Sequence, residues 1–167
     1  MKEGTTCITN AEGFSICTDK SLLQIDVIHH FLSKESYWAK DIDYALVEAA
    51  VENSSICYGI YVGDINSDHY RQIGFARVIT DFVRFAWLSD VFVLPEYRGR
   101  GLSKWLMSVI IADPKLKGTN FNLGTQDAHT LYAQFGFKAL ENVERLMTRP
   151  LDWEEIYRGY GLVRQVK

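Results

Sequence analysis

The sequence predicts an α+β fold, or α/β with a mixed sheet. Three observations carry this reading. The hydrophobic period changes from helical to alternating after Asn53, explicit turns separate three β-rich runs, and helical spacing returns after Pro95.

The elements follow in order. Residues 14–18 form a short apolar strand candidate. Asp26 has the chemistry of an N-cap, and Val27, Ile28, Phe31 and Leu32 lie on one helical face behind it. A second helix spans 44–53, with Asp43 as its cap and Leu46, Val47, Ala50 and Val51 as its stripe. Residues 55–62, 72–80 and 85–94 are rich in β-branched and aromatic side chains. The polar run 63–68 and the run 81–84 are the turns of an antiparallel meander. From Leu102 to Ile111 the residues Leu102, Trp105, Leu106, Val109 and Ile110 share a face, and Asp113-Pro114 stops that helix. A short strand at 121–124 and a helix at 128–135 follow, the helix closed by Gly136. Residues 143–149 read as a last strand, and 152–157 as a short helix in the tail. The order is β-α-α-β-β-β-α-β-α-β.

The chain has 167 residues, 47% hydrophobic and 23% charged, which fits a single globular domain spanning 1–167. This composition excludes a disordered tail, a collagen-like repeat and a coiled coil. The net charge is −3 and the 18 basic residues form no run, which argues against a nucleic-acid partner. Residues 1–10 lack the apolar core of a signal peptide, and no apolar run is long enough to span a membrane. Cys7, Cys17 and Cys57 are far apart, odd in number and outside any CxxC pair, so they read as free thiols in a reducing cytoplasm.

The most informative stretch is Val91-Phe-Val-Leu-Pro-Glu-Tyr-Arg-Gly-Arg-Gly-Leu-Ser-Lys104, where a strand runs through Pro95 and two glycines into a helix. The first amides of a helix lack intrahelical partners and sit at its positive end. Gly99 and Gly101 let the backbone approach a ligand, so a diphosphate can accept from consecutive amides. Arg98 and Arg100 add charge beside them. No GxxxxGK[ST] string occurs, and the third glycine of a dinucleotide fingerprint is missing. Solvated arginines at an ordinary helix start are the plainer alternative.

This loop and a second string, Ala128-His-Thr-Leu-Tyr-Ala-Gln-Phe-Gly-Phe137, together resemble the two motifs of the GNAT superfamily of N-acetyltransferases. The resemblance covers residues 74–137. It implies the acyl-CoA N-acyltransferase fold, with a mixed sheet of about six or seven strands flanked by about four helices. It implies acetyl-CoA as acyl donor, no metal, and direct transfer to an amine. The backbone of Phe92, Val93 and Leu94 would bond the pantetheine arm, and the amides from Arg98 through Gly99, Arg100, Gly101 and Leu102 to Ser103 would hold the pyrophosphate. Many members carry Asn seven residues before the tyrosine of the LY pair, touching the cofactor; here that position is Thr125.

Tyr132 matches the family's general acid. A phenol stays protonated at neutral pH and can protonate a leaving thiolate; the alternative is a helix tyrosine packed beside Leu131 and Phe135. Asp90 interrupts an apolar strand and by alternation shares a face with Leu88 and Phe92. It reads as a general base through water, as an anchor for an ammonium, or as an acid paired with an arginine or set in a bulge. Asp127 reads as an N-cap, and His129 as a structural helix-start histidine. Tyr37 and Trp38 are candidates for the acceptor wall or for the core. Arg77 and Asp81 could reach the cleft. The cysteines read as packing.

The expected function is acetyl transfer to a small primary amine, in a soluble cytoplasmic protein. The alternatives are a non-catalytic acyl-CoA-binding module and an acetylator of protein N-termini or lysines. The tail aromatics suit a homodimer contact or a cover for the core.

Overall fold

The computed structural model describes residues 5–141 and 143–164. By contacts the chain divides into two compact units, Met1–Phe137 and Lys138–Lys167. The first unit is built on a six-stranded sheet. Its strands are β1 (Cys7–Thr9), β2 (Phe14–Cys17), β3 (Ile56–Gly63), β4 (Tyr70–Thr80), β5 (Phe85–Val93) and β6 (Asn120–Leu123). They lie in sequence order; the first five are antiparallel, and β6 runs parallel to β5. The α+β class with a mixed sheet is therefore present.

The helices of this unit are α1 (Ile25–His30), α2 (Tyr44–Glu52), α3 (Leu102–Ala112) and α4 (His129–Ala133). Asp43 caps α2, its side chain accepting from the Ala45 amide at 2.9 Å. Asp26 is not the cap of α1: the helix starts one residue earlier, behind Gln24, and Asp26 sits in its first turn, where its charge suits the dipole. A π-helical turn, Phe31–Glu35, continues α1, with the Ser36 amide reaching back to the Phe31 carbonyl at 3.0 Å. The core gathers Ile60, Ile73, Phe75 and Val78 from the central strands with Ile28, Val47, Leu106 and Ile110 from the helices. Consecutive residues of β3 and β4 are buried, as in strands covered on both faces.

Two readings of the N-terminal region change. β1 adds a strand to the expected order; its three partly exposed residues give little periodic signal. It pairs with β2 so that Cys7 faces Cys17, and the two form a disulfide. Only Cys57 is a free thiol among the described residues. The reading of three free thiols fails because a hairpin brings together cysteines that look remote in sequence.

In the second unit the expected strand at 143–149 is absent. Val143–Arg145 form a 3-10 turn and 146–150 adopt no regular structure. α5 (Trp153–Gly159) is capped by Asp152, which accepts from the Glu155 amide at 3.1 Å. Among the described residues, no helix is long and apolar enough to cross a membrane.

Candidate active site

The site begins with a register fault. Phe75 pairs with Phe92 and Arg77 with Ser89, so Ala76 alone stands opposite Asp90 and Val91. This is a β-bulge, and Asp90 takes its left-handed position at φ 53°. Asp tolerates that conformation better than most residues. The bulge also corrects the face assignment. Because Val78 pairs with Leu88 and Phe75 with Phe92, Leu88 and Phe92 lie on opposite faces of the sheet.

Both Asp90 carboxylate oxygens are engaged. Oδ2 accepts from Arg77 Nε in a close, largely buried ion pair, and Oδ1 accepts from the Trp38 indole at 3.0 Å. The rest of the Arg77 guanidinium donates to the Ser54 and Ser89 hydroxyls at 3.3 and 3.2 Å. Of the three readings of Asp90, the arginine pair and the bulge are both present. Arg77 points at Asp90 rather than into the cleft. Asp81 is far from it in role: its carboxylate takes the amides of Val83, Arg84 and Phe85 at the hairpin turn. Those bonds hold its carboxyl down to about 2.

Next to the bulge the sheet opens. β5 and β6 pair only from Phe85–Asn120 to Leu88–Leu123, so the β5 edge beyond Leu88 faces a gap instead of a strand. A cavity of about 670 Å³ fills that gap. Asp90, Phe92, Val93, Arg98, Ser103, Thr125, Tyr132, Tyr37 and Trp38 all line it. It adjoins a second cavity of about 220 Å³, lined by Gly99, Gly101, Leu102 and Lys104; Val93, Arg98, Ser103 and Leu131 line both.

The smaller cavity lies at the start of α3. The first ladder bond there is donated by Trp105 to the Gly101 carbonyl, so the amides of Leu102, Ser103 and Lys104 precede the helical ladder. Gly99 and Gly101 have φ of 77° and 73°, and a Cβ on either would meet nothing within 4 Å. The residues therefore fit a diphosphate: open space, left-handed glycines and unladdered amides coincide.

Three details of the expected cradle differ. The Arg98 amide closes a 3-10 turn onto Pro95, and its Nε donates to the Val93 carbonyl at 3.1 Å. The Arg100 guanidinium lies over the Phe14 ring, and Arg100 lines neither cavity. The Leu94 amide donates to Ile73 at 2.8 Å and its carbonyl accepts from Tyr97. That bond makes Gly74–Val93 the non-hydrogen-bonded pair, which turns the Val93 N–H away from β4 and leaves Phe92 in the ladder with Phe75. Of the three backbone positions expected to bond a pantetheine arm, only Val93 presents its amide outward.

Tyr37 and Trp38 act as a strap over the opening. Trp38 reaches Asp90 on β5, and the Tyr37 hydroxyl accepts from the Gln126 amide, just beyond β6, at 3.0 Å. The two rings meet edge-on at 4.9 Å. Behind them Phe31 stacks on Phe92 at 4.0 Å.

Tyr132 is buried against the cavity floor. Burial first, then the neighbouring Tyr37 and Asp127, push its phenol up to about 12. Asp127 is not the cap of α4; the Ala128 amide is taken by Thr125 Oγ1 at 3.0 Å. Thr125 thus orders the loop before α4 as well as lining the cavity. His129 opens α4 and does not line the cleft. Glu35 and Trp87, not singled out by sequence, also line it. Glu35 directly precedes the segment that holds Tyr37 and Trp38, and Trp87 lies where strand periodicity gives no clue to a gap. Cys57 is buried and its thiol is raised to about 11 by desolvation, consistent with packing.

Comparison with known proteins agrees with this architecture. The acetyltransferase (GNAT) domain model matches residues 53–139. A solved structure from Xanthomonas campestris pv. campestris, described as belonging to the GNAT family, is 49% identical, with a TM-score of 0.76 over 83% of this chain and 93% of that one. The chain belongs to the GNAT family. A relative from Gibberella zeae that bears an acetyltransferase name is 34% identical over 110 residues, 58% of this chain and 62% of its own. An uncharacterized N-acetyltransferase of Prochlorococcus marinus is 40% identical over 72 residues, 43% of this chain and 39% of its own. The chain thus matches less than two thirds of the length of these two curated relatives.

Proposed function

We propose that this chain is an acetyl-CoA-dependent N-acetyltransferase that acetylates a primary amine of a small molecule by direct transfer. The observation that carries the reading is the adjacency of two cavities that share Val93, Arg98, Ser103 and Leu131 in their walls. A cradle at the start of α3 lies beside a cleft that Tyr132 lines. A thioester lying along the free β5 edge would have its reactive end in that cleft.

When bound, acetyl-CoA would supply the acyl carbon: the amine nitrogen would bond to it as the carbon–sulfur bond breaks, sulfur would take up a proton, and the proton shed by the nitrogen would pass to water and so restore the proton donor. The chain contributes position and a proton. The amides before Trp105 and the outward Val93 amide hold the donor's length. Tyr132 keeps its proton through neutral pH, because its phenol is raised to about 12, and can give it to the thiolate. Asp90, with both oxygens engaged, serves as a positioning residue that fixes Trp38. Tyr37 and Trp38 bridge β5 and the loop after β6 at the acceptor end. That favours a small molecule over a peptide, which needs an open groove.

The test is a panel of small primary amines with acetyl-CoA. The expected result is release of free CoA thiol matched one-to-one by N-acetylated amine in mass spectra. Acetyl-CoA binding without thiol release across the panel would mark a non-catalytic module instead.

A further inference from the structure

The two ends of the cleft differ in charge. The cradle end holds Arg98 and Lys104. The acceptor end holds three carboxylates, Glu35, Asp90 and Asp127, with the aromatic side chains of Tyr37, Trp38 and Trp87. Asp90 is neutralised by Arg77. Glu35 faces only the exposed His30, at 4.0 Å, and no Lys or Arg pairs with Asp127 among the described residues. Trp87 and Trp38 are about two-fifths exposed, at 40% and 41%, so their rings are accessible. Gly124 puts no side chain over Trp87; a Cβ there would lie 3.9 Å from the indole.

Aromatic faces and two carboxylates that no lysine or arginine neutralises among the described residues, Glu35 and Asp127, suit one kind of occupant, an organic cation with an apolar stem. We infer that the acceptor carries a second positive charge at its far end. The reacting nitrogen lies toward Tyr132, on the side of Asp127, and the distal cation lies against Glu35 and the indole rings. The inference rests on the acetyl-transfer reading for which nitrogen reacts, but not for the charge preference of the cleft. An acceptor with a distal carboxylate or phosphate would meet repulsion there.

Three nearly isosteric amines test this in the full chain: 1,4-diaminobutane, 1-aminobutane and 4-aminobutanoate. Their far ends are cationic, neutral and anionic. We expect kcat/KM to fall about tenfold at each step in that order. Calorimetric titration of each amine onto the chain should give the same order of Kd. In Glu35→Lys the preference should invert toward 4-aminobutanoate; Glu35→Gln, which is milder, should narrow it. Equal kcat/KM for the three, or a preference for the neutral or anionic amine, overturns the inference. No CoA release with any amine, alongside tighter binding of the diamine, overturns the acetyl-transfer reading and leaves the charge inference standing.

Discussion

Trp38 and Asp90 are 52 residues apart in sequence, yet the indole N–H of one donates to the carboxylate of the other at 3.0 Å. The bond exists because a bulge turns Asp90 out of the strand pattern while the π-helical turn after α1 delivers Trp38 to the β5 edge. It ties the N-terminal helical segment to the strand that borders the cleft.

If Asp90 positions Trp38 rather than acting as a base, its charge matters to structure first. Asp90→Asn keeps a side chain that tolerates positive φ but leaves Arg77 without its counter-ion. Unfolding in urea should show a loss of about 1.5–3 kcal/mol, the usual worth of a hydrogen bond to a charged group. The acid limb of the pH dependence of kcat/KM should persist in the variant. Its disappearance, with stability unchanged, would make Asp90 the base.

Much of this arrangement is legible in the sequence, and the exceptions have physical causes. α2, α3 and the meander β3–β5 are strongly periodic, and Asp43 and Gly101 are local signals that act at their own positions. The bulge is not local: alternation assumes one residue per register step, and Asp90–Val91 break it only because Ala76 stands opposite. The π-turn at Phe31–Glu35 likewise preserves the helical hydrophobic pattern that hides it. The Cys7–Cys17 pair depends on a hairpin whose first strand has three residues. In the site, Tyr37 and Trp38 could be chosen by residue type, and Tyr132 by its place in the family motif. Their convergence follows from where β6 ends, which no motif records.

The disulfide gives a simple count. Under non-reducing conditions the native chain should show no thiol that reacts with Ellman's reagent, because Cys57 is buried and its thiol raised to about 11. Denaturation without reductant should expose only Cys57. Three reactive thiols in the denatured, unreduced chain would mean that Cys7 and Cys17 are not joined.

The cradle is tested at Gly101. A Cβ there meets nothing in the protein, so the cost of Gly101→Val to the fold is confined to strain at φ 73°, about 1–3 kcal/mol. The new side chain would project into the open space assigned to the diphosphate. Calorimetric titration should show acetyl-CoA affinity at least about tenfold weaker, a loss of about 1.4 kcal/mol or more. Wild-type affinity in the folded variant would remove the cradle from the account.

Tyr132 also makes a pH prediction. Its phenol is raised to about 12, so the protonated form persists well past the ordinary phenol value of about 10. The ionisation that disables a general acid therefore lies above that range. With an amine acceptor, kcat/KM should rise with pH as the amine deprotonates and should show no downturn up to about pH 10.

The most direct measurement is the turnover of Tyr132→Phe with acetyl-CoA and a productive amine. The substitution keeps the ring and its edge contact with Phe137 at 5.9 Å and removes only the hydroxyl. If Tyr132 protonates the leaving thiolate, kcat and kcat/KM should fall together by about 10²–10⁴-fold, with KM and acetyl-CoA affinity little changed. A variant that turns over at the wild-type rate would contradict that role and require the proton to come from water or another group in the cleft.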